Sequence, residues 1–239
     1  MSKKILWLIV ARSGSKSISN KNIVLLGGHP LLSYRIHAAK NTKRHNEIWI
    51  STDSVEYADI AIKYGAKAPF LRPKKLSDDF SNSVDVVQHA MEFAQKNHLT
   101  FDFIGLLEPT SPFITSEQLD EAIQNLINEP DAESIVAVRE SRPNTIFIQE
   151  ETKYLVQIAK EIENIKLVGR QNFSKQITPS GGFYISRWDC FLEQKTFYTS
   201  KTLVFLVDNI AGIEIDEPID FSFANFLIET NIININVKL

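Results

Sequence analysis

Cysteine is almost missing: Cys190 stands alone among 239 residues, so neither an intrachain disulfide nor a cysteine-built zinc cluster can form, and a cytoplasmic location is expected. The five histidines, His29, His37, His45, His89 and His98, lack metal-ligand spacing and read as surface or capping residues. No apolar run approaches the ~18 residues needed to cross a bilayer. The run after Lys3 and Lys4 stops at Arg12 and Lys16 without a small-residue cleavage pattern, so no membrane span or signal peptide is expected. A basic surplus is also missing. The net charge of −3 argues against a general nucleic-acid binder, and any cluster of cations must be a local site. Internal repeats and low-complexity linkers are absent. What remains is 44% apolar and 23% charged, enough for a sizeable core in one α/β domain with an insertion, or a domain and a small lobe.

The most informative stretch is Ile5 to Asn22, ILWLIVARSGSKSISNKN. Ile5 to Val10 are apolar without alternation, which fits a strand buried on both faces, as in a parallel sheet under helices. The loop that follows sits at the strand's carboxyl end. Arg12, Lys16 and Lys21 bring positive charge, Ser13, Ser15, Ser17 and Ser19 bring hydroxyls, and Gly14 lets backbone N–H groups converge on an anion. A triphosphate would suit it. An ordinary polar turn of an α/β protein is the alternative, since the loop matches neither GxxxxGK[ST] nor GxGxxG.

The rest of the chain alternates strand-like and helix-like segments, the pattern of βαβ units and a parallel sheet flanked by helices. Pro30 opens a helix over Leu31 to Ala39, Glu47 to Ser51 is a strand, and Thr52-Asp53-Ser54 caps a helix over Val55 to Tyr64 that Gly65 ends. Ala68 to Leu71 is expected as a short strand, Val84 to Gln95 as a helix, Phe101 to Leu107 as a strand, Glu117 to Leu126 as a helix and Ser134 to Val138 as a strand. The rhythm then fails between Arg139 and Thr178, where an insertion of hairpins is expected. Leu203 to Asp208 and Gly212 to Asp216 read as strands, and Pro218 starts a final helix. Alternation from Gly212 to Asp216 sets Glu214 and Asp216 on one face, with Ile213 and Ile215 on the other. Two adjacent acids are costly unless solvated or bridged, so this pair is a candidate for Mg²⁺ held against a nucleotide.

The string A-R-x-G-S-K-x-I-x-x-K-N closely resembles the N-terminal signature of the acylneuraminate cytidylyltransferases, the CMP-sialic acid synthetase family. Later segments agree. L-R-P-x-x-L-S-D resembles the family's nucleotide-base loop and continues without a gap through Ser83 to His89-Ala90, so Arg72 and Ser83 look like base-pocket residues. L-L-x-P-T-S-P resembles the floor of the sugar site, which assigns Glu108, Thr110 and Ser111 to the sugar; Glu108 replaces the usual glutamine. Arg170-Gln171 matches a pair whose arginine lies near the sugar carboxylate. Pro179 to Ile185 resembles P-N-G-x-x-Y-I, with Tyr184 in place, Ser180 for the asparagine and Thr178 for a basic residue often found two positions earlier. Phe197 and Tyr198 fall where the family has an aromatic pair reaching into the partner's sugar pocket, with core packing as the alternative. Glu214 and Asp216 fall on the family's D-x-D.

The resemblance implies a Rossmann-like, nucleotide-diphospho-sugar transferase fold over 1–138 and 179–239, with 139–178 as an inserted dimerisation segment helped by 190–200. It also implies transfer of CMP from CTP to a nonulosonic acid with release of pyrophosphate, by a homodimer that uses Mg²⁺. Arg12, Lys16 and Lys21 would hold the triphosphate, Ala11, Gly14, Ser15 and Asn22 would shape the nucleotide site, and Asp216 with Glu214 would hold the metal. No side chain stands out as a general base. The changes at Glu108, Ser180 and Thr178 all fall on the sugar side and point to an amino-substituted, legionaminic- or pseudaminic-type acid. A cytidylyltransferase for Kdo and a catalytically silent nucleotide-binding protein are the alternatives.

Overall fold

The computed structural model describes residues 3–44, 46–78, 81–141, 147–149, 155–157, 176–234 and 237. In chain order these form β1 (Ile5–Val10), β2 (Leu25–Leu26), β3 (His29–Pro30), α1 (Leu31–Lys40), β4 (Asn46–Ser51), α2 (Val55–Tyr64), α3 (Ser83–Lys96) and β5 (Phe103–Leu107). Then come α4 (Ser116–Asn128), β6 (Ser134–Ser141), β7 (Phe147–Gln149), β8 (Leu155–Gln157), β9 (Gln176–Arg187), α5 (Trp188–Gln194), β10 (Thr202–Leu206) and α6 (Pro218–Glu229). Six strands make one sheet in the order β10-β6-β9-β5-β1-β4. β1 runs parallel to β4 and β5, and β10 parallel to β6, while β9 is antiparallel to β5.

The unbroken apolar run of β1 has a direct physical reason. Ile5, Trp7 and Ile9 enter one core, with Leu32 and Ile36 of α1 and Ile123 of α4. Leu6 and Leu8 enter another, with Val87 and Met91 of α3 and Phe191 of α5. Both faces of the strand are covered, so alternation disappears. A third cluster joins Leu26, Leu31 and Tyr34 to Phe113, Ile215 and Leu227. Helix ends follow their caps: the Ser54 hydroxyl accepts from the Tyr57 amide, Thr115 and Gln118 form a capping box, and Glu217 with Asp220 caps α6, where Pro218 is the first residue.

Two expected strands do not form. Ala68 to Leu71 makes no strand; one bridge links Trp49 to Lys67. Lys67 exchanges two backbone hydrogen bonds with Ile48 and Ile50, and Pro69, lacking an N–H, cannot extend the ladder. Gly212 to Asp216 is an extended loop tied to the neighbouring segment by the Ile215 amide donating to the Thr110 carbonyl at 2.8 Å. Its alternation is real, with Ile215 fully buried and Ile213 packed on the third cluster, but it reflects burial of one face rather than strand pairing.

Contacts divide the chain into two compact units, 1–138 with 179–239, and 139–178. Within the second, β7 and β8 form an antiparallel pair.

Candidate active site

β1, β4 and β5 end at the same sheet edge. Val10 pairs with Ser51 and Ile9 with Leu107, so Arg12, Asp53 and Glu108 emerge side by side just beyond the carboxyl ends, where ligands of open α/β sheets bind. A cavity of about 490 Å³ opens there.

One wall is the loop after β1, contributing Arg12, Ser15, Lys16, Ser17, Lys21 and Asn22. Gly14 takes φ +80° with open space around its Cα, a conformation that favours glycine and turns the loop. The loop is held in place. Ser13 donates through its amide to Asp53 Oδ1 at 2.8 Å and through its hydroxyl to Oδ2 at 2.7 Å, so this hydroxyl braces the loop and is not offered to phosphate. Asn22 Nδ2 donates to the Arg12 carbonyl at 3.0 Å. Ala11 is fully buried, its amide donating to the Ser51 carbonyl. Burial alone would raise the Asp53 pKa, but the two bonds from Ser13 and the charge of Arg72 bring it below its ordinary value.

The second wall comes from Arg72 and the start of α3: Ser81, Asn82, Ser83 and Val86. Arg72 is largely buried, and its Nη2 and Nη1 donate to the Ser51 and Leu76 carbonyls at 2.8 and 3.4 Å. Part of the fork expected to read a base is thus spent on the backbone; Nε is buried without a hydrogen-bond partner among the described residues. Burial lowers its pKa to about 10, against the pull of Asp53.

The third wall is acidic, made by Glu108, Pro109 and Thr110 after β5 together with Glu214 and Asp216. Burial, then the charges of Glu214 and Asp216, push the Glu108 pKa up to about 7, with Arg35 and Lys21 opposing. Lys21 Nζ lies 3.0 Å from Asp216 Oδ1, and the Ser17 hydroxyl donates to the Asp216 carbonyl. Among the described residues no group of three or more His, Cys, Asp or Glu side chains could hold a metal ion by itself. The surplus of negative charge on this wall does fit a hard cation sharing Glu214 and Asp216 with oxygens of a bound phosphate.

A family model described as cytidylyltransferase matches residues 6–238. The chain belongs to the cytidylyltransferase family. It is 32% identical over 230 residues to a pseudaminic acid cytidylyltransferase of Campylobacter jejuni, covering 95% of this chain and 97% of that protein. It is 33% identical over 231 residues to a CMP-N,N'-diacetyllegionaminic acid synthase of Legionella pneumophila, again covering 95% and 97%. A solved structure of a CMP:2-keto-3-deoxy-manno-octonic acid synthetase complexed with CTP superposes with a TM-score of 0.68 at 17% identity, covering 96% of this chain and 100% of that one. That likeness shows the fold, a Rossmann-like, mostly parallel sheet flanked by helices.

In this family member the residues expected at the sugar divide into groups. Glu108 and Thr110 line the cavity. Ser111 and Ser180 are fully buried beneath it, with the Ser111 hydroxyl donating to the Ser180 carbonyl at 3.3 Å. Tyr184 packs against Phe197 and Tyr198 at ring distances of 5.7 and 6.2 Å, and its phenol pKa is raised by burial, then by Glu108. Phe197 is buried in the second core against Phe191, which corrects its assignment to a reaching pair, whereas Tyr198 is exposed. Arg170 and Gln171 lie outside the described residues. Asp53 and Arg35 were not singled out from sequence. Asp53 had a legible signal, its place one residue beyond Thr52 at the end of a strand; Arg35, within a helix, had none.

Proposed function

We propose that this chain transfers CMP from CTP to a nonulosonic sugar acid of the pseudaminic or legionaminic type and releases pyrophosphate. The observation that carries the reading is one cavity walled by a basic loop on one side and by Glu108, Glu214 and Asp216 on another, in a chain similar along 95% of its length to enzymes named for that transfer. The anomeric hydroxyl oxygen of the sugar attacks the α-phosphorus of CTP. The new P–O bond forms as the bond to the pyrophosphate oxygen breaks, and the hydroxyl proton passes to solvent water.

Such a step needs positioning and charge stabilisation. Arg12, Lys16 and Lys21 hold the triphosphate and offset the charge gathering on the leaving pyrophosphate, while Asp53 keeps their loop in shape through Ser13. Arg72 and Ser83 border the base, and Asn22 borders phosphate or ribose. Mg²⁺, held by Asp216 and Glu214 with phosphate oxygens, would polarise the α-phosphate. Glu108 faces the acceptor and favours a sugar bearing an extra donor. A homodimer joined through 139–178 and a cytoplasmic setting complete the reading; light scattering tests the first.

Pyrophosphate release from CTP with a panel of pseudaminic, legionaminic, N-acetylneuraminic and Kdo acids is the test. Turnover of Kdo above every nonulosonic acid, or of none of them, would overturn the assignment.

A further inference from the structure

Arg35 is an unusual residue for its place. It lies in the interior of α1, fully buried, where an ionised side chain is expensive unless it is paired and hydrogen-bonded. Nη2 donates to the Gly182 carbonyl at 2.8 Å and Nη1 to the Ile114 carbonyl at 3.3 Å, while Nε has no hydrogen-bond partner among the described residues. Carbonyl acceptors are satisfied by neutral donors as well as charged ones, so these two hydrogen bonds by themselves give no reason for a cation.

The reason lies one residue away. Gly181 sits in β9 at φ +59°, and a Cβ there would come within 2.2 Å of Glu214 Oε1, 2.9 Å of Ser111 Oγ and 3.1 Å of Glu108 Oε2. Two carboxylates therefore converge on the bare Cα of Gly181. The Ser180 carbonyl on one side is held by Ser111 and the Gly182 carbonyl on the other by Arg35. The acidic wall is thus backed by a buried cation that also grips the backbone on which that wall rests.

We propose that Arg35 is a positioning residue for the acceptor side of the site: by holding Gly182 and setting its charge behind Glu108, it lets Glu108 and Glu214 share the space over Gly181. The inference rests on the reading of the acidic wall as the acceptor side. Consistent with the placement, Arg35 and Glu108 each feel the other's charge: burial drives the Arg35 pKa down to about 9, and Glu108 opposes that fall. The effect on the reaction is indirect, because Arg35 does not line the cavity.

The test compares Arg35→Met in the wild-type background with the same change in a Glu108→Gln background. Thermal unfolding without ligands gives one readout; kcat/KM for the sugar acid, beside CTP affinity by thermal shift, gives the other. In the wild type, Arg35→Met should lower Tm by several degrees and kcat/KM for the sugar by about 10²-fold while changing CTP affinity less than about threefold. With Glu108→Gln already present, the loss should shrink by about tenfold, the scale of coupling between residues that share one network. Equal losses in both backgrounds would show that Arg35 only braces the backbone and would overturn the proposal. Should Arg35→Met not fold, the double variant decides: its folding supports charge balance, and its failure refutes it. The unfolding arm needs no turnover, so a wild type inactive on every sugar would defeat the proposed function and leave this coupling measurable.

Discussion

Lys21 and Asp216, 195 positions apart in the chain, meet with Nζ 3.0 Å from Oδ1. A cation of the loop after β1 and a carboxylate of the acidic wall thus neutralise one another across the cavity. Asp216 is 67% exposed and Lys21 14%, so the pair contributes no more than ~1 kcal/mol and is easily exchanged. In the proposed function, an incoming triphosphate would take Lys21 and leave the freed carboxylate to a cation.

That exchange predicts nucleotide-selective stabilisation. CTP with Mg²⁺ should raise the thermal midpoint by several degrees at saturating concentration, since ~100-fold excess over Kd contributes about 2.7 kcal/mol. ATP and GTP should do so far less if the wall formed by Arg72, Ser81, Asn82 and Ser83 receives a pyrimidine, as proposed. Equal shifts from purine nucleotides in differential scanning fluorimetry would refute the base-pocket assignment.

Asp216→Ala should cut turnover by about 10²- to 10³-fold, the usual loss for one charge-stabilising contact. Its exposed side chain implies an unchanged fold, to be confirmed by circular dichroism. Near-normal pyrophosphate release would mean that the carboxylate is merely solvated.

Asp53 acts one step back. Removing a carboxylate that accepts both the amide and the hydroxyl of Ser13 should loosen the phosphate loop, and charged hydrogen bonds are worth about 1.5–3 kcal/mol. Asp53→Ala is expected to raise KM for CTP by at least about tenfold with little change in KM for the sugar. A larger effect on the sugar would contradict the bracing role.

Glu108 makes two outcomes expected. Its folded pKa, about 7, lies above the ordinary 4.5, so between these values the native state holds the proton more tightly than the unfolded chain. Metal-free stability should therefore fall as pH rises from about 4.5 through about 7 and level off above, by at most ~3 kcal/mol. Urea unfolding of Glu108→Gln should lack that fall. The same variant should gain activity on N-acetylneuraminic acid relative to the wild type's preferred sugar; an unchanged ratio would mean that Glu108 does not touch the acceptor.

Much of the fold is legible in local patterns. The doubly covered β1, the capped helices from Ser54 and Thr115 and the start of α6 at Pro218 each depend on side chains within a few positions. β9 escaped, although at twelve residues it is the longest strand described, because Pro179, Gly181 and Gly182 are poor strand formers and its pairing with β5 spans roughly eighty positions. Arg139 to Thr178 showed its broken rhythm but nothing of its packing.

The site divides along the same line. By themselves the residues determined the chemistry on offer: a basic, glycine-bearing loop at a strand end, an arginine in a proline loop, and two alternating acids. Only the tertiary structure decided which groups share a charge environment. Lys21 comes to lie against Asp216, Ser13 turns to Asp53, Phe197 packs in the core, and Arg35 is buried holding the Gly182 carbonyl next to Gly181, over which Glu108 and Glu214 converge. Charges separated by scores of residues interact only after the sheet sets its strand ends side by side, because Coulomb energies depend on distance and burial, and neither is written in sequence order.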